Sequence, residues 1–238
     1  FSLSIILIIC TLIVGNQLSF MQNKGLGFNK DNIGYFTSHT RPKGSMLENL
    51  KKELLKNPDI INVTRGSNPF SVGSAGNGFN WAGKKESESI SFKMINCDAD
   101  YAKTLHLELE KGRFFSPEFP TDSFAVVINE SAAEVLGFNN PIGEVILTPW
   151  ESKLNIIGVV KNFHFKSMHF KIEPLIMVLD PGVEFFIRMK PDKTSSIIPY
   201  IKDAIKAFDL PYPLNYKYLA DDYENLYKNE RRMSRVFR

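Results

Sequence analysis

The chain has 238 residues, 43% of them hydrophobic and 23% charged, with 29 Lys and Arg against 26 Asp and Glu for a formal net charge of +3. This composition excludes a disordered chain, and the length suits one or two packed domains. The charges are scattered, which excludes a nucleic-acid partner, and two cysteines are too few for a zinc cluster or a disulfide framework.

Residues 1–14 carry no charge, and the first charged side chain is Lys24. A bilayer-spanning helix needs about 20 predominantly apolar residues. Residues 1–21 meet that length if Gly15, Asn16, Gln17 and Ser19 lie at the polar interface, so a membrane anchor is expected. A signal peptide is the alternative, but neither its basic lead nor a small-residue cleavage site is visible. Cys10 lies in this apolar run and Cys97 in the polar body, so no disulfide between them is expected. The chain begins at Phe1 rather than Met and ends at Arg238 inside a charged helical pattern, which reads as a piece of a longer protein. The basic residues Lys228, Arg231, Arg232, Arg235 and Arg238 do not decide orientation, because the positive-inside rule weakens for segments longer than about 60 residues.

Beyond residue 28 the pattern changes to short apolar runs separated by helical periodicity. Residues 33–38 read as a strand. Ser45 and Glu48 form a capping-box pattern opening a helix whose apolar face is Leu47, Leu50, Leu54 and Leu55. Asn57 and Pro58 end that helix, and residues 60–64 read as the next strand. Residues 66–79 hold Gly73, Gly76 and Gly78 but lack the Gly-Lys-Ser/Thr of a phosphate loop, so they read as a mobile surface loop. Residues 90–97 and 125–128 read as strands, and residues 131–136 as a short helix capped by Asn129. Residues 156–160 and 175–179 read as buried strands. A second β-α-β unit follows, with strands at 185–189 and 216–219 around a helix at 197–208 with Ser195 and Ser196 as caps. From Asp221 a helical pattern places Tyr223, Leu226, Tyr227, Met233 and Phe237 on one stripe. Two framing β-α-β units favour an α+β sandwich of split β-α-β type.

The chemistry-bearing residues do not assemble into a catalytic pattern. His164 and His169 are five apart, whereas the helical zinc signature places its histidines four apart with a glutamate. His39 and His106 stand alone. No nucleophile elbow is present, and Glu130, Glu134 and Glu144 read as solvated faces. The expectation is a non-catalytic domain without metal or cofactor.

Three segments together resemble a known family, the macrolide-exporter-type periplasmic core domain of FtsX-like ABC transporter permeases. The first is the apolar run leading into Gln22-Asn23-Lys24-Gly25-Leu26-Gly27-Phe28-Asn29-Lys30. The second is Val127-Ile128-Asn129-Glu130-Ser131-Ala132-Ala133, with Leu136-Gly137 and Asn140-Pro141-Ile142-Gly143, continuing to Ile156-Ile157-Gly158-Val159-Val160-Lys161-Asn162-Phe163-His164-Phe165. The third is Leu226-Tyr227-Lys228-Asn229-Glu230. The first segment also resembles the opening of the second module of tandem permeases.

The resemblance implies a two-lobed α+β domain outside the inner membrane, in the periplasm, carried on transmembrane stalk helices. The expected division is an anchor and stalk at 1–24, a porter-like lobe at 25–97 and 170–220, an inserted lobe at 98–169, and a C-terminal stalk helix at 221–238. The implied function is mechanotransmission of ATP-driven motion for export. The implied partners are a cytoplasmic ATPase, a second permease as dimer or pseudo-dimer, the membrane, and a periplasmic protein. Tyr223, Leu226, Tyr227, Met233 and Phe237 are the expected stalk-packing residues. An extracytoplasmic ligand-sensing domain of a receptor is the alternative; it requires a pocket of convergent polar groups.

Overall fold

A computed structural model describes residues 25–38, 45–76, 78–85, 89–208 and 215–228. The expected anchor, stalk residues 22–24, His39, Met233 and Phe237 lie outside the described residues. Among the described residues no helix is long and apolar enough to cross a membrane.

In chain order the elements are β1 (Ile33–Thr37), α1 (Met46–Leu54), β2 (Ile60–Arg65), β3 (Gly73–Gly76), β4 (Asn80–Trp81), β5 (Phe92–Cys97), α2 (Tyr101–Leu105) and β6 (Leu109–Gly112). A 3-10 turn (Pro120–Phe124) leads to β7 (Ala125–Asn129), α3 (Glu130–Leu136), β8 (Val145–Leu147), β9 (Lys153–Val160) and β10 (Leu175–Leu179). The described elements end with β11 (Glu184–Met189), α4 (Thr194–Ala207), β12 (Lys217–Tyr218) and α5 (Leu219–Leu226).

Four strands form one sheet in the order β12-β1-β11-β2, with every neighbour antiparallel. β1 and β2 therefore run parallel with β11 between them, and β11 and β12 run parallel with β1 between them. These are two interlocked split β-α-β units, the expected architecture. Residues spaced three and four apart on α1 (Leu47, Leu50, Leu54) and α4 (Ile197, Ile201, Ala204, Ile205) bury one face of this sheet against Phe36, Val63, Phe185 and Ile187.

The second sheet has eight strands in the order β3-β5-β10-β7-β9-β8-β4, with β6 on β9. Its centre is mixed: β5 pairs β10 and β7 pairs β9 in parallel, while β10 and β7 are antiparallel. Successive side chains point to opposite faces, and both faces are buried. Val127, Leu175 and Met177 turn toward a core shared with Ile33, Tyr35 and Phe186 of the first sheet. Val126, Ile128 and Ile176 turn the other way, against Ala132 and Leu136 of α3. The shared core is what joins the sheets.

The chain changes sheet after β2, where Gly66 bridges Cys97, and returns before β11. Strands β3 to β5 and β10, which fall within the expected porter-like range 25–97 and 170–220, thus pair in the eight-stranded sheet. Arg65 clamps the two crossings together. Its Nε and Nη2 donate to Gly182 O at 3.2 and 2.9 Å, Nη2 also donates to Pro181 O, and Nη1 meets Glu48 Oε1 at 2.5 Å.

That ion pair explains one correction. Glu48 does not reach back to Ser45 because Arg65 holds its carboxylate, and Ser45, at φ −85° and ψ 9° rather than extended, makes no side-chain cap to α1. Likewise α4 begins at Thr194 behind Lys193, and Ser196 Oγ donates to Lys193 O instead of capping. The glycine-rich stretch contains β3, an edge strand paired to β5. Asn129 does cap α3, its side chain accepting from Ala132 N at 2.9 Å, and Gly137 ends that helix in the left-handed region. Cys97 is a buried free thiol, and burial raises its pKa.

Candidate functional site

The incoming segment docks before any strand begins. Leu26 and Phe28 are buried in the shared core, and His164 N donates to Leu26 O at 2.7 Å. Gly27 has φ +82°, and a Cβ there would lie 2.7 Å from Asn162 O and 2.9 Å from Phe163 Cα. Only glycine fits that close approach without strain. Farther along, the buried Arg188 donates to Asn29 O (2.7 Å), Asp31 O (3.1 Å) and Thr104 O (2.6 Å), tying the incoming segment to β11 and α2.

The outgoing helix α5 docks into the same core. Its first turn carries Asp221 and Asp222, which suits the positive end of the helix dipole. Tyr223 and Tyr227 are buried with ring centroids 5.2 Å apart. Tyr223 lies 5.8 Å from Phe70, Phe70 5.5 Å from Phe28, and Phe28 5.9 Å from Phe163. An unbroken chain of rings therefore joins the incoming segment to the outgoing helix. Tyr227 OH also accepts from Met168 N at 2.8 Å. Of the expected stalk residues, Tyr223 and Tyr227 pack into the body and Leu226 packs partly buried against it. Their ring partners Phe28, Phe70 and Phe163 went unassigned in the sequence, although the aromatic run at Phe163 and Phe165 is the trace of them.

Beside this ring chain opens a polar cleft of about 390 Å³, lined by β1, β11, the loop after β2, and α5. Tyr35 OH and Asn68 Nδ2 donate to Asp222 Oδ2 at 2.7 and 2.6 Å, while Asn68 N donates to Glu184 Oε2 at 3.0 Å. Burial, with a contribution from Asp222, raises the Glu184 carboxyl above its ordinary pKa. Burial and Asp222 likewise raise the Tyr35 phenol. One asparagine thus links the Glu184 carboxylate of β11 to Asp222 in the first turn of α5.

A second polar seam lies under α1. Lys51 Nζ sits 2.6 Å from both Asp98 and Asp100. Burial alone would lower its pKa, but the two carboxylates outweigh that and leave it raised. Asp98 also accepts from Thr64 Oγ1 and Arg65 N. The seam fixes the four-stranded sheet to the strand–helix corner of the other sheet.

The remaining sequence candidates are scattered. Among the described residues no three of His, Cys, Asp and Glu come together as a metal site. The His169 ring lies 6.3 Å from Tyr227. Glu130 is not a solvated face, since it accepts from Asn162 N at 2.7 Å. Glu134 and Glu144 are exposed.

Comparison with known proteins bears on this arrangement. The profile of the MacB-like periplasmic core domain matches residues 2–198. The chain belongs to the MacB-like periplasmic core domain family. The MacB-like core also resembles the periplasmic region of MacB from Actinobacillus actinomycetemcomitans. That match has a TM-score of 0.57 at 14% identity, covering 87% of this chain and 97% of the other. A second similar structure is the extracellular domain of the noncanonic ABC-type transporter YknZ from Gram-positive bacteria, with a TM-score of 0.52 at 13% identity, covering 79% and 99%. No curated protein matches the sequence. At such identities the structures show the shared fold, and the family match makes this MacB-like core the extracytoplasmic domain of an ABC transporter permease.

Proposed function

We propose that this domain is the non-catalytic, mechanotransmitting part of an export permease. In this reading, residues 1–21 anchor it in the inner membrane, and a cytoplasmic ATPase drives motion of the membrane helices. The segments 25–30 and 219–228 carry that motion into a periplasmic body that works as a permease dimer or pseudo-dimer with a periplasmic partner protein. The body divides at the change of sheet, into a porter-like lobe around β1, β2, β11 and β12 and an inserted lobe around the eight-stranded sheet.

The observation that carries the reading is the ring chain from Phe28 through Phe70 and Tyr223 to Tyr227. It packs the incoming segment and the outgoing helix into one core, and close-packed cores shift between discrete arrangements rather than yielding continuously. Asn229→Pro tests it, since proline three residues past Leu226 excludes a helical continuation. The expected outcome is an unchanged unfolding temperature and continued ATP hydrolysis with export lost. Normal export from this variant would refute the relay. The polar cleft at Glu184 and Asp222 supports the sensing alternative, which instead requires Glu184→Gln to abolish a response while export continues.

A further inference from the structure

We infer that the loop of residues 164–172 is a lipid-surface foot, resting on the anionic headgroups of the membrane that anchors the domain. The inference rests on the proposed anchoring by residues 1–21.

The position comes from the docking contacts. One end of the loop holds the incoming segment, through His164 N to Leu26 O at 2.7 Å. Its middle holds the residue that follows the outgoing helix, through Met168 N to Tyr227 OH at 2.8 Å. The loop thus lies where the chain arrives and where it departs. Four residues lie between Met21 and Leu26, and an extended chain spans at most about 3.3–3.6 Å per residue. The His164 end of the loop is therefore held within about 20 Å of the apolar run.

The composition suits an interface. Phe170 is 62% exposed, and it is the one strongly exposed ring among the described residues that lies beside the two docking contacts. Lys166 and Lys171 line a shallow groove with Phe165, Phe170 and Ile172. Lys166 also pairs with Glu173, which leaves its half-buried stem along the groove. Exposed Lys228 follows Tyr227, and the sequence continues with Arg231, Arg232 and Arg235. Lysines beside an exposed ring match an anionic bilayer surface, where each basic residue strengthens binding about fivefold. The other strongly exposed rings, Phe124 and Trp150, precede Ala125 and Lys153, which start β7 and β9, whereas the loop follows the β9 end at Val160. They lie across the length of the sheet from the foot.

The test uses the full chain in nanodiscs of brominated lipid, neutral or containing anionic phosphatidylglycerol, and reads tryptophan quenching beyond that of the wild-type chain. Phe170→Trp is expected to be quenched, more strongly with the anionic lipid, and Phe124→Trp to remain unquenched. Lys166→Gln with Lys171→Gln is expected to remove the anionic preference of Trp at 170. Ile6→Trp reports the anchor separately. If position 6 is quenched and position 170 no more so than position 124, the foot is refuted while the anchor stands. If position 6 is unquenched, the anchor reading itself fails. A blue-shifted but unquenched tryptophan at 170 would place a protein there and would also refute the foot.

Discussion

The two sheets use their strands differently. In the four-stranded sheet one face is closed by α1 and α4 with spaced aliphatic residues, and the other face looks into the shared core. The eight-stranded sheet has parallel pairs at its centre and buries alternate residues of β7 and β10 into two separate cores. The first sheet could close its helix-covered core alone. The second depends on what lies on both sides of it, and one of those sides is the first sheet together with the incoming and outgoing segments. The difference teaches that the shared core is the place where a local change reaches the whole domain.

The strongest test of that contrast is Phe186→Ala. Phe186 is fully buried, stacks on Tyr35 at 5.2 Å and meets Tyr101 edge-on at 6.5 Å. Its loss is expected to cost about 3–5 kcal/mol. Denaturant unfolding followed by two probes, one in each sheet, should show both transitions moving together. A shift confined to the four-stranded sheet would mean that the lobes unfold separately.

Asn129→Ala probes the second sheet from within. Its Oδ1 accepts from Ala132 N and Leu175 N at 2.9 Å, and its Nδ2 donates to Asn162 Oδ1 and Glu173 O at 3.0 Å. Losing a helix cap and leaving buried partners unmatched should cost about 2–3 kcal/mol, measured as a change in the denaturation midpoint. An unchanged midpoint would show that water replaces the side chain. Tyr227→Phe is milder. It keeps the ring and leaves Met168 N without its acceptor, so about 1 kcal/mol is expected, together with faster amide exchange at residue 168.

The smallest effect is the sign of pH dependence in each region. Asp122 accepts from Arg113 Nη2 at 2.6 Å, and that hydrogen bond, against the opposing effect of burial, holds its pKa below the ordinary value. The unfolded chain binds the proton more readily, so this pair adds stability above about pH 3.9 that is lost as pH falls through the lower folded value. Glu184 behaves oppositely. Burial raises its pKa, so the folded chain holds the proton more readily, and stability falls as pH rises from about 4.3 through the raised value. Glu184→Gln should flatten that fall, and Asp122→Asn should flatten the acid limb, in unfolding measured across pH 3 to 8.

How much of this was legible depends on whether the cause is local. Alternation at Val126, Val127 and Ile128 marks β7, and Asn129 with Gly137 marks both ends of α3, because each signal lies within a few residues. The two split β-α-β units were readable for the same reason. The capping box at Ser45 failed because Arg65, from the crossing to the other sheet, takes the Glu48 carboxylate. Strand β3 escaped notice because Gly73, Ser74 and Gly76 have no side-chain pattern, and backbone pairing with β5 makes the strand. Which sheet each apolar run joins was not readable either. Residues 175–179 and 185–189 are equally apolar runs, and nothing in their composition says that one pairs with β5 and β7 and the other with β1 and β2. The candidate site was half visible: the outgoing stripe with Tyr223 and Tyr227 stood out, whereas its partners are brought together only by tertiary contacts.

The ladder between β1 and β12 has a consequence for how the domain bears load. These strands are antiparallel, with Gly34 opposite Tyr218 and Tyr35 opposite Lys217, so the start of β1 and the end of β12 lie at the same edge. A pull on the two segments leaving that edge meets the ladder in a zipper direction, one residue pair after another, rather than in shear across all pairs at once. Resistance to traction then resides in the interlocked rings of Phe28, Phe70, Tyr223 and Tyr227. In a force-extension measurement gripping both ends, Tyr223→Ala should lower the first rupture force more than a change in the β12 backbone pairing.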